Sequence, residues 1–278
     1  MLTTKEEKIF RNIAYILLIC GVAITLVPFI YMISASFKSQ IYTFEYPPRL
    51  IPRDPTLENY IKALGKDLFG INLLNSFFVA TVTTVSTVFV SSLMAYAFSR
   101  MRFPGKEVFF YILLLGMMIP PVMLIIPQFI IVKNLHLLDN LWGLIVVYIS
   151  VTLSMQTFLL RSFFETIPRE LEDAVLVDGG TRWDIFRKII LPLSKPGLAV
   201  VAIFTFLYAW DEFPWAHVAI REGSRRTLPV AIALFQSQYL TQWGLLFAAT
   251  TVASIPAVIV FIIFQRYFIQ GVITSGLK

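Results

Sequence analysis

Few residues in this 278-residue chain could do chemistry, and those that could are not grouped as a catalytic centre. The two histidines, His136 and His217, lie in connecting or interfacial stretches with no metal-ligand spacing around them, and the single cysteine, Cys20, sits inside an apolar run. An intrachain disulfide and a cysteine-based metal cluster are therefore excluded. No G-x4-G-K-[ST] phosphate loop occurs, so any nucleotide hydrolysis must belong to a partner. No catalytic residue, no metal site and no cofactor bound by the chain itself are expected. One polar stretch does concentrate functional groups: Glu170-Leu171-Glu172-Asp173-Ala174-Val175, then Asp178-Gly179-Gly180, then Thr181-Arg182-Trp183-Asp184 and on to Ile189-Ile190-Leu191-Pro192. Its chemistry is ionic and hydrogen-bonding contact with another surface.

Locally this stretch reads as two short helices. From about Arg169 to Val177, Leu171, Ala174 and Val175 form one stripe, while Glu170, Glu172 and Asp173 point elsewhere. Gly179-Gly180 can end that helix, because glycine takes positive φ at no steric cost. Thr181 and Asp184 have the spacing of a capping box, which starts a second helix running from Arg182 to about Ile190 and stopping before Pro192. Trp183, Phe186, Ile189 and Ile190 give that helix an apolar face. A helix so short is marginal alone in water, so the face must pack against something. Periodicity leaves two choices, the membrane surface or a docked protein.

The elements that hold this island are greasy. The chain is 57% hydrophobic and 14% charged, with a mean hydropathy of +0.75, whereas a soluble domain is about 25% charged. Runs of about 20 apolar residues cross a bilayer as helices. Six can be drawn: 13–36, 73–98, 108–132, 141–160, 197–213 and 245–269. They are too long and too evenly apolar for barrel strands. The expected fold is thus an all-α polytopic membrane protein. It comprises an N-terminal tail (1–12), a six-span transmembrane domain (13–270) with its polar loop at 166–193, and a C-terminal tail (271–278). The first run exceeds the apolar part of a signal peptide and lacks a cleavage site, so it is expected to remain as the first span. With six spans, the side carrying both termini holds fourteen Lys and Arg and the other side holds nine. Positive charge favours the cytoplasm, which places both termini and the polar island inside, in a cytoplasmic (inner) membrane. The net charge of +6 reads as topology; lipid is a partner and nucleic acid is not.

Other polar groups lie at or near membrane depth. Asn75, Gln128, Gln156, Asp211 and Glu212 are candidates for a solute pathway, with interhelical hydrogen bonding as the competing role. Prolines 120, 121 and 127 should kink the third run. After the first run, four prolines between Tyr46 and Pro55 exclude helix, and Thr56–Tyr60 looks like the start of a short amphipathic one. Gln236, Gln238, Tyr239 and Trp243 mix amides with rings, suited to a ring-shaped polar ligand, a protein surface or interfacial anchoring. The middles of the six runs carry almost no ionisable residue, which argues against an ion-coupled secondary transporter.

Asp173-Ala174-Val175, three residues, Gly179, nine residues and Ile189-x-Leu191-Pro192 resemble the EAA loop of ABC-importer permeases, with Asp173 in place of Glu and Val175 in place of Ala. Pro47–Pro52, Leu74-Asn75-Ser76, Ala95–Arg100, Asn134–Gly143 and Trp210–Phe213 extend the resemblance over nearly the whole chain. The type it resembles is the maltose-type (MalG-like) second permease of carbohydrate ABC importers. The resemblance implies a second homologous permease, two ATP-binding subunits that hold ATP and Mg, and an extracytoplasmic sugar-binding protein. It implies ATPase coupling through Glu172, Asp173, Ala174, Gly179, Trp183, Phe186, Ile189, Leu191 and Pro192. It further implies a C-terminal tail reaching between the ATP-binding subunits, and contact of the binding protein around Gln236–Trp243. The cargo expected is a di- or oligosaccharide; a polyamine, phosphate ester or peptide is the alternative.

Overall fold

The structure, a computed structural model, describes residues 5–39, 43–65, 68–234 and 242–276. All regular structure among them is helical. The chain divides into two compact units, Met1–Asp67 with Leu234–Ser254, and Leu68–Ala233 with Ile255–Lys278.

The first unit holds α1 (Lys5–Ser36), α2 (Glu58–Leu64) and the start of α13 (Trp243–Gly276). Most of α1 is bare, with Ile16, Leu17, Leu18 and Ile24 exposed, as suits a helix whose solvent is lipid. The proline-rich segment after it is non-helical, as expected, but it is folded back on a buried lysine. Lys38 Nζ donates to the Arg49 carbonyl at 2.6 Å and pairs with Glu45 at 3.5 Å. Asn59 of α2 donates to the carbonyls of Ser36 and Lys38 at 2.9 and 2.7 Å. It thereby satisfies the open carbonyl end of α1. Gly244 lets α13 come close here, since a Cβ on it would meet the Asn59 amide at 2.6 Å.

The second unit is built on three helices, α3 (Phe69–Arg100), α6 (Leu141–Glu165) and α10 (Lys195–Asp211), packed on one another. Within lipid there is no hydrophobic force to join apolar helices, so close packing of small residues does it. On α3 the buried line is Ser76, Ala80, Thr83, Thr87, Ser91 and Ala95. Thr87 and Thr152 hydroxyls meet across it at 3.3 Å. On α10, Gly197 faces the Phe163 ring, where a Cβ would come within 2.7 Å.

Among the described residues, four helices are long and apolar enough to cross a membrane, or up to six if two bent pairs each count as one. The third run is one of those pairs. It was expected as one kinked helix, but α4 (Lys106–Met118) and the following Pro121–Asn134 stretch meet at 96°. Ile119 and Pro120 are extended, with ψ of 118° and 129°. A proline forces its predecessor out of helical conformation, and two in series break the helix. Pro127, in the first turn of α5 (Ile125–Asn134), is accommodated. The other bent pair joins Arg182–Leu193 to Lys195–Asp211 at 75°.

Between α5 and α6 the chain turns tightly, and a Cβ on Gly143 would stand 2.2 Å from the Leu137 carbonyl oxygen. Gly143→Ala is expected to cost about 1–3 kcal/mol, read as a lower thermal midpoint in detergent. Gly21→Ala, where a Cβ meets nothing within 4 Å, should leave the midpoint unchanged. Equal midpoints for both variants would show that the turn can relax.

Candidate functional site

The polar island forms α7 (Glu170–Val177), α8 (Arg182–Ile185), a wide π turn over Phe186–Ile190, and α9 (Leu191–Leu193). Gly179 has φ of +78°. Gly180 N–H returns to the Val175 carbonyl at 2.8 Å and Gly179 N–H to that of Leu176 at 3.1 Å, a Schellman ending. The capping box is present. Asp184 N–H donates to the Thr181 hydroxyl at 3.2 Å and Thr181 N–H to the Asp184 carboxylate at 3.0 Å. Lys188, then Thr181, hold that carboxyl well below the usual carboxylate range. The helix does not stop before Pro192 as expected. The Leu191 N–H bonds back to the Phe186 carbonyl in the π turn, and the wider turn accommodates the proline that follows it.

The insert is seated by its inner face. Ile185, Phe186 and Ile190 are buried in a cluster with Ala95, Tyr96, Leu160, Phe164, Ile167 and Val201. Tyr96 lies against the Phe186 ring at 5.1 Å, and its hydroxyl donates to the Arg182 carbonyl at 3.1 Å. Glu172 also points inward, where its carboxylate meets Arg100 at 2.8 Å, the two side chains 6% and 3% exposed. Arg100 further donates to the carbonyls of Phe164 and Ile167. The inward residues of α7 are therefore Glu172 and half-buried Val175, while Leu171 and Ala174 lie exposed. The expected stripe of Leu171, Ala174 and Val175 is split because a buried guanidinium recruits the carboxylate.

The outer face is left bare. Leu171, Asp173, Ala174, Leu176, Val177, Gly179, Trp183 and Pro192 are exposed, and Ile189 and Leu191 are partly so. Of the two carboxylates that could make an outside contact, Asp173 is the accessible one. Glu172 and Phe186 are buried against the rest of the unit and hold the insert. Sequence reasoning counted Arg100 only as topology and missed it as an anchor, as it missed Tyr96. A charged residue at the end of a long apolar run was the available signal. Beside the insert lies an open cavity of about 530 Å³ lined by Arg100, Arg102, Arg169, Arg182, Glu172 and Asp173 with Met101.

The pathway candidates separate. The Asn75 amide donates to the carbonyls of Ser224 and Arg226 at 2.8 and 3.0 Å, and so serves the loop after α11 (Pro214–Ala219). Gln156 is buried in α6 and Asp211 is exposed at the end of α10. Gln128 and Glu212 come together. They line a cavity of about 200 Å³ with Tyr208, Trp215, Val147, Val151 and Ile125 among others. Glu212 accepts from the Tyr148 hydroxyl at 2.5 Å and from the N–H groups of Trp215 and Ala216 at 2.7 and 3.1 Å. An aromatic and apolar wall with a few fixed polar groups suits a small polar ring. Gln236, Gln238 and Tyr239 lie outside the described residues. Trp243 opens α13, with Phe44 and Phe247 at 5.3 and 6.0 Å.

The turn before α6 is latched to the segment after α11. Asp139, at φ +55°, accepts the N–H groups of Arg221 and Glu222 at 3.0 Å each, and Arg225 donates to its carbonyl at 2.7 Å. The Glu222 N–H foremost holds its carboxyl below the usual range. A lowered value in the folded state means the latch contributes fully above about pH 4 and is lost as pH falls through that depressed value. Asp139→Ala should speed trypsin cleavage after exposed Arg221 and Arg225 by about tenfold at pH 7. An unchanged rate would show that the segment is ordered by other contacts.

Comparison with known proteins gives this geometry a context. Residues 87–274 match the model of the binding-protein-dependent transport system inner membrane components. The chain is 36% identical over 278 residues to the trehalose/maltose transport system permease protein MalG of Thermococcus litoralis, covering 99% of both chains. It is 36% identical to the sulfoquinovosyl glycerol transport system permease protein SmoH of Agrobacterium fabrum, covering 95% of this chain and 92% of that one. Among solved structures, a bacterial ABC transporter that imports the acidic polysaccharide alginate is similar, with a TM-score of 0.81 and 26% identity. That match covers 96% of this chain and 99% of that one. Helical spans, a seated insert and full-length similarity converge: this chain belongs to the binding-protein-dependent transport system inner membrane components.

Proposed function

We propose that the chain is one of two permease subunits forming the pathway of an ATP-driven importer for a di- or oligosaccharide. The insert of α7 and α8 docks on ATP-binding subunits. The observation that carries this is the two-sidedness of the insert, whose inner face is buried in its own unit while Leu171, Val177 and Trp183 stand exposed at 42%, 87% and 56%. Large apolar side chains left bare around an ordered, capped turn are the mark of a protein interface. Lipid would cover an apolar face but has no use for the exposed Asp173 or the Gly179 turn.

In this reading α4 with α5 supplies one span and α10 another, which with the four long helices gives six, and both termini are cytoplasmic on the side rich in Lys and Arg. ATP and Mg belong to the two ATP-binding subunits, whose closure shifts the insert and, with it, α6 and α10 between two states. An extracytoplasmic binding protein delivers the cargo. A sugar is favoured because the similar importers carry carbohydrates in their names and because the Gln128–Glu212 cavity sets a few polar groups in an aromatic and apolar wall. The C-terminal end of α13 reaches toward the ATP-binding subunits.

Affinity purification of the chain from its native membrane in mild detergent tests the assembly. A second permease and an ATP-hydrolysing subunit should co-purify, with hydrolysis stimulated by the binding protein and a sugar. Stimulation by a polyamine, phosphate ester or peptide would move the cargo class, and a lone chain would return the insert to the membrane surface.

Gly179 offers a sharper probe, because φ of +78° disfavours most side chains while nothing lies within 4 Å of its Cβ direction. Gly179→Arg should lower recovery of the ATP-binding subunit and coupled uptake by about tenfold or more. Gly179→Asn, which tolerates positive φ, should stay near the parent in fold. Normal coupled uptake by the arginine variant would remove the docking assignment.

A further inference from the structure

The chain connects the insert directly only to α6 and α10, yet its firmest polar contacts run to α3. Glu172 of α7 is joined to Arg100, the last residue of α3, at 2.8 Å. One turn earlier on α3, Tyr96 donates to the Arg182 carbonyl of α8 at 3.1 Å and lies against Phe186 at 5.1 Å. Arg100 also donates to the Phe164 and Ile167 carbonyls at the end of α6. A planar fork held by a carboxylate and two carbonyls has little rotational freedom, and burial makes each contact hard to exchange for water. The two joints that continue the backbone, Thr166–Arg169 and Ser194, are single turns, and the first is itself held to α3, since the Ile167 carbonyl is one of those that Arg100 bonds.

We propose that Arg100, Glu172 and Tyr96 are positioning residues that clamp the insert to α3. The insert, the end of α3 and the end of α6 then move as one body when the ATP-binding subunits close. This rests on the docking reading above and adds to it: the stroke enters through α3, which packs along both α6 and α10, and not only through the two helices the chain links to the insert. Docking contact and transmission would thus be separate, with the outer face binding and the clamp transmitting.

The test uses the whole complex, purified through this chain in a Cys20→Ser background. Nitroxides are placed at Phe89, exposed on α3, and at Asp178, exposed at the tip of the insert. Their distance is measured by pulsed electron resonance without nucleotide and after trapping with Mg-ATP and vanadate. With the clamp intact, one narrow distance should persist in both states. Tyr96→Phe leaves the ring packing and removes only the hydroxyl; Glu172→Gln removes the charge. In each, and most in the pair, trapping should shift the distance by about 2 Å or more, the size of helix displacements in switching proteins. The ATP-binding subunit should still co-purify. A distance that shifts equally with the clamp intact, or that never shifts in the variants, would overturn the clamp while leaving docking standing. Absence of the ATP-binding subunit from the unmutated complex would overturn docking, and the clamp's role in transmission with it.

Discussion

Everything about the insert depends on one buried cation. Arg100 ends α3 with its guanidinium 3% exposed, and a buried charge persists only if paired and hydrogen-bonded. Glu172 and the carbonyls of Phe164 and Ile167 meet that need. In doing so they fix where α6 ends, which way α7 rolls and which face of α8 is covered. The carboxylate turns in, so its neighbour Asp173 turns out. An apolar residue in place of Glu172 would leave an uncompensated charge in the core, a change that typically costs about 3–5 kcal/mol.

The second constraint is the solvent. In lipid the helices are drawn together by fit and by hydrogen bonds, not by hydrophobicity. Hence the small line on α3, the glycine at 197 and the threonine pair across α3 and α6. Polar side chains near the ends of the spans serve the same economy. Asn72 and Asn75 tie down the carbonyls of the segment after α11, and Glu212 takes the free N–H groups that open α11. Such roles compete with solute binding for the same side chains. Asn75 is consumed by the loop, whereas Gln128 and Glu212 still face a cavity.

Legibility in the sequence followed the range of the forces. The helical class, the first, second, fourth and sixth runs, the glycine turn at Gly179 and the Thr181–Asp184 box are all readable, because each depends on residues within a few positions of one another. The long α1, α3, α6 and α13 coincide with those four runs and extend beyond them at one or both ends. The third run was misread as a kinked rod. One proline in a helix bends it, but the second at Pro121 extends Ile119 and Pro120 and turns the chain by 96°. Helix continuation through Pro192 was also unreadable, since a π turn leaves no mark in apolar periodicity.

Alone, the sequence determined that the chain is helical, apolar enough for a membrane, and furnished with one charged, capped insert in a recognisable motif. Local propensity and composition suffice for that. Only the tertiary structure decided which side of the insert is inner, that Glu172 and Phe186 hold it while Asp173 and Trp183 face out, and that Lys38 and Arg100 are buried anchors. It also decided that Gln128 and Glu212 share a cavity. These outcomes depend on groups far apart in the chain, whose burial and pairing exist only once the helices have packed.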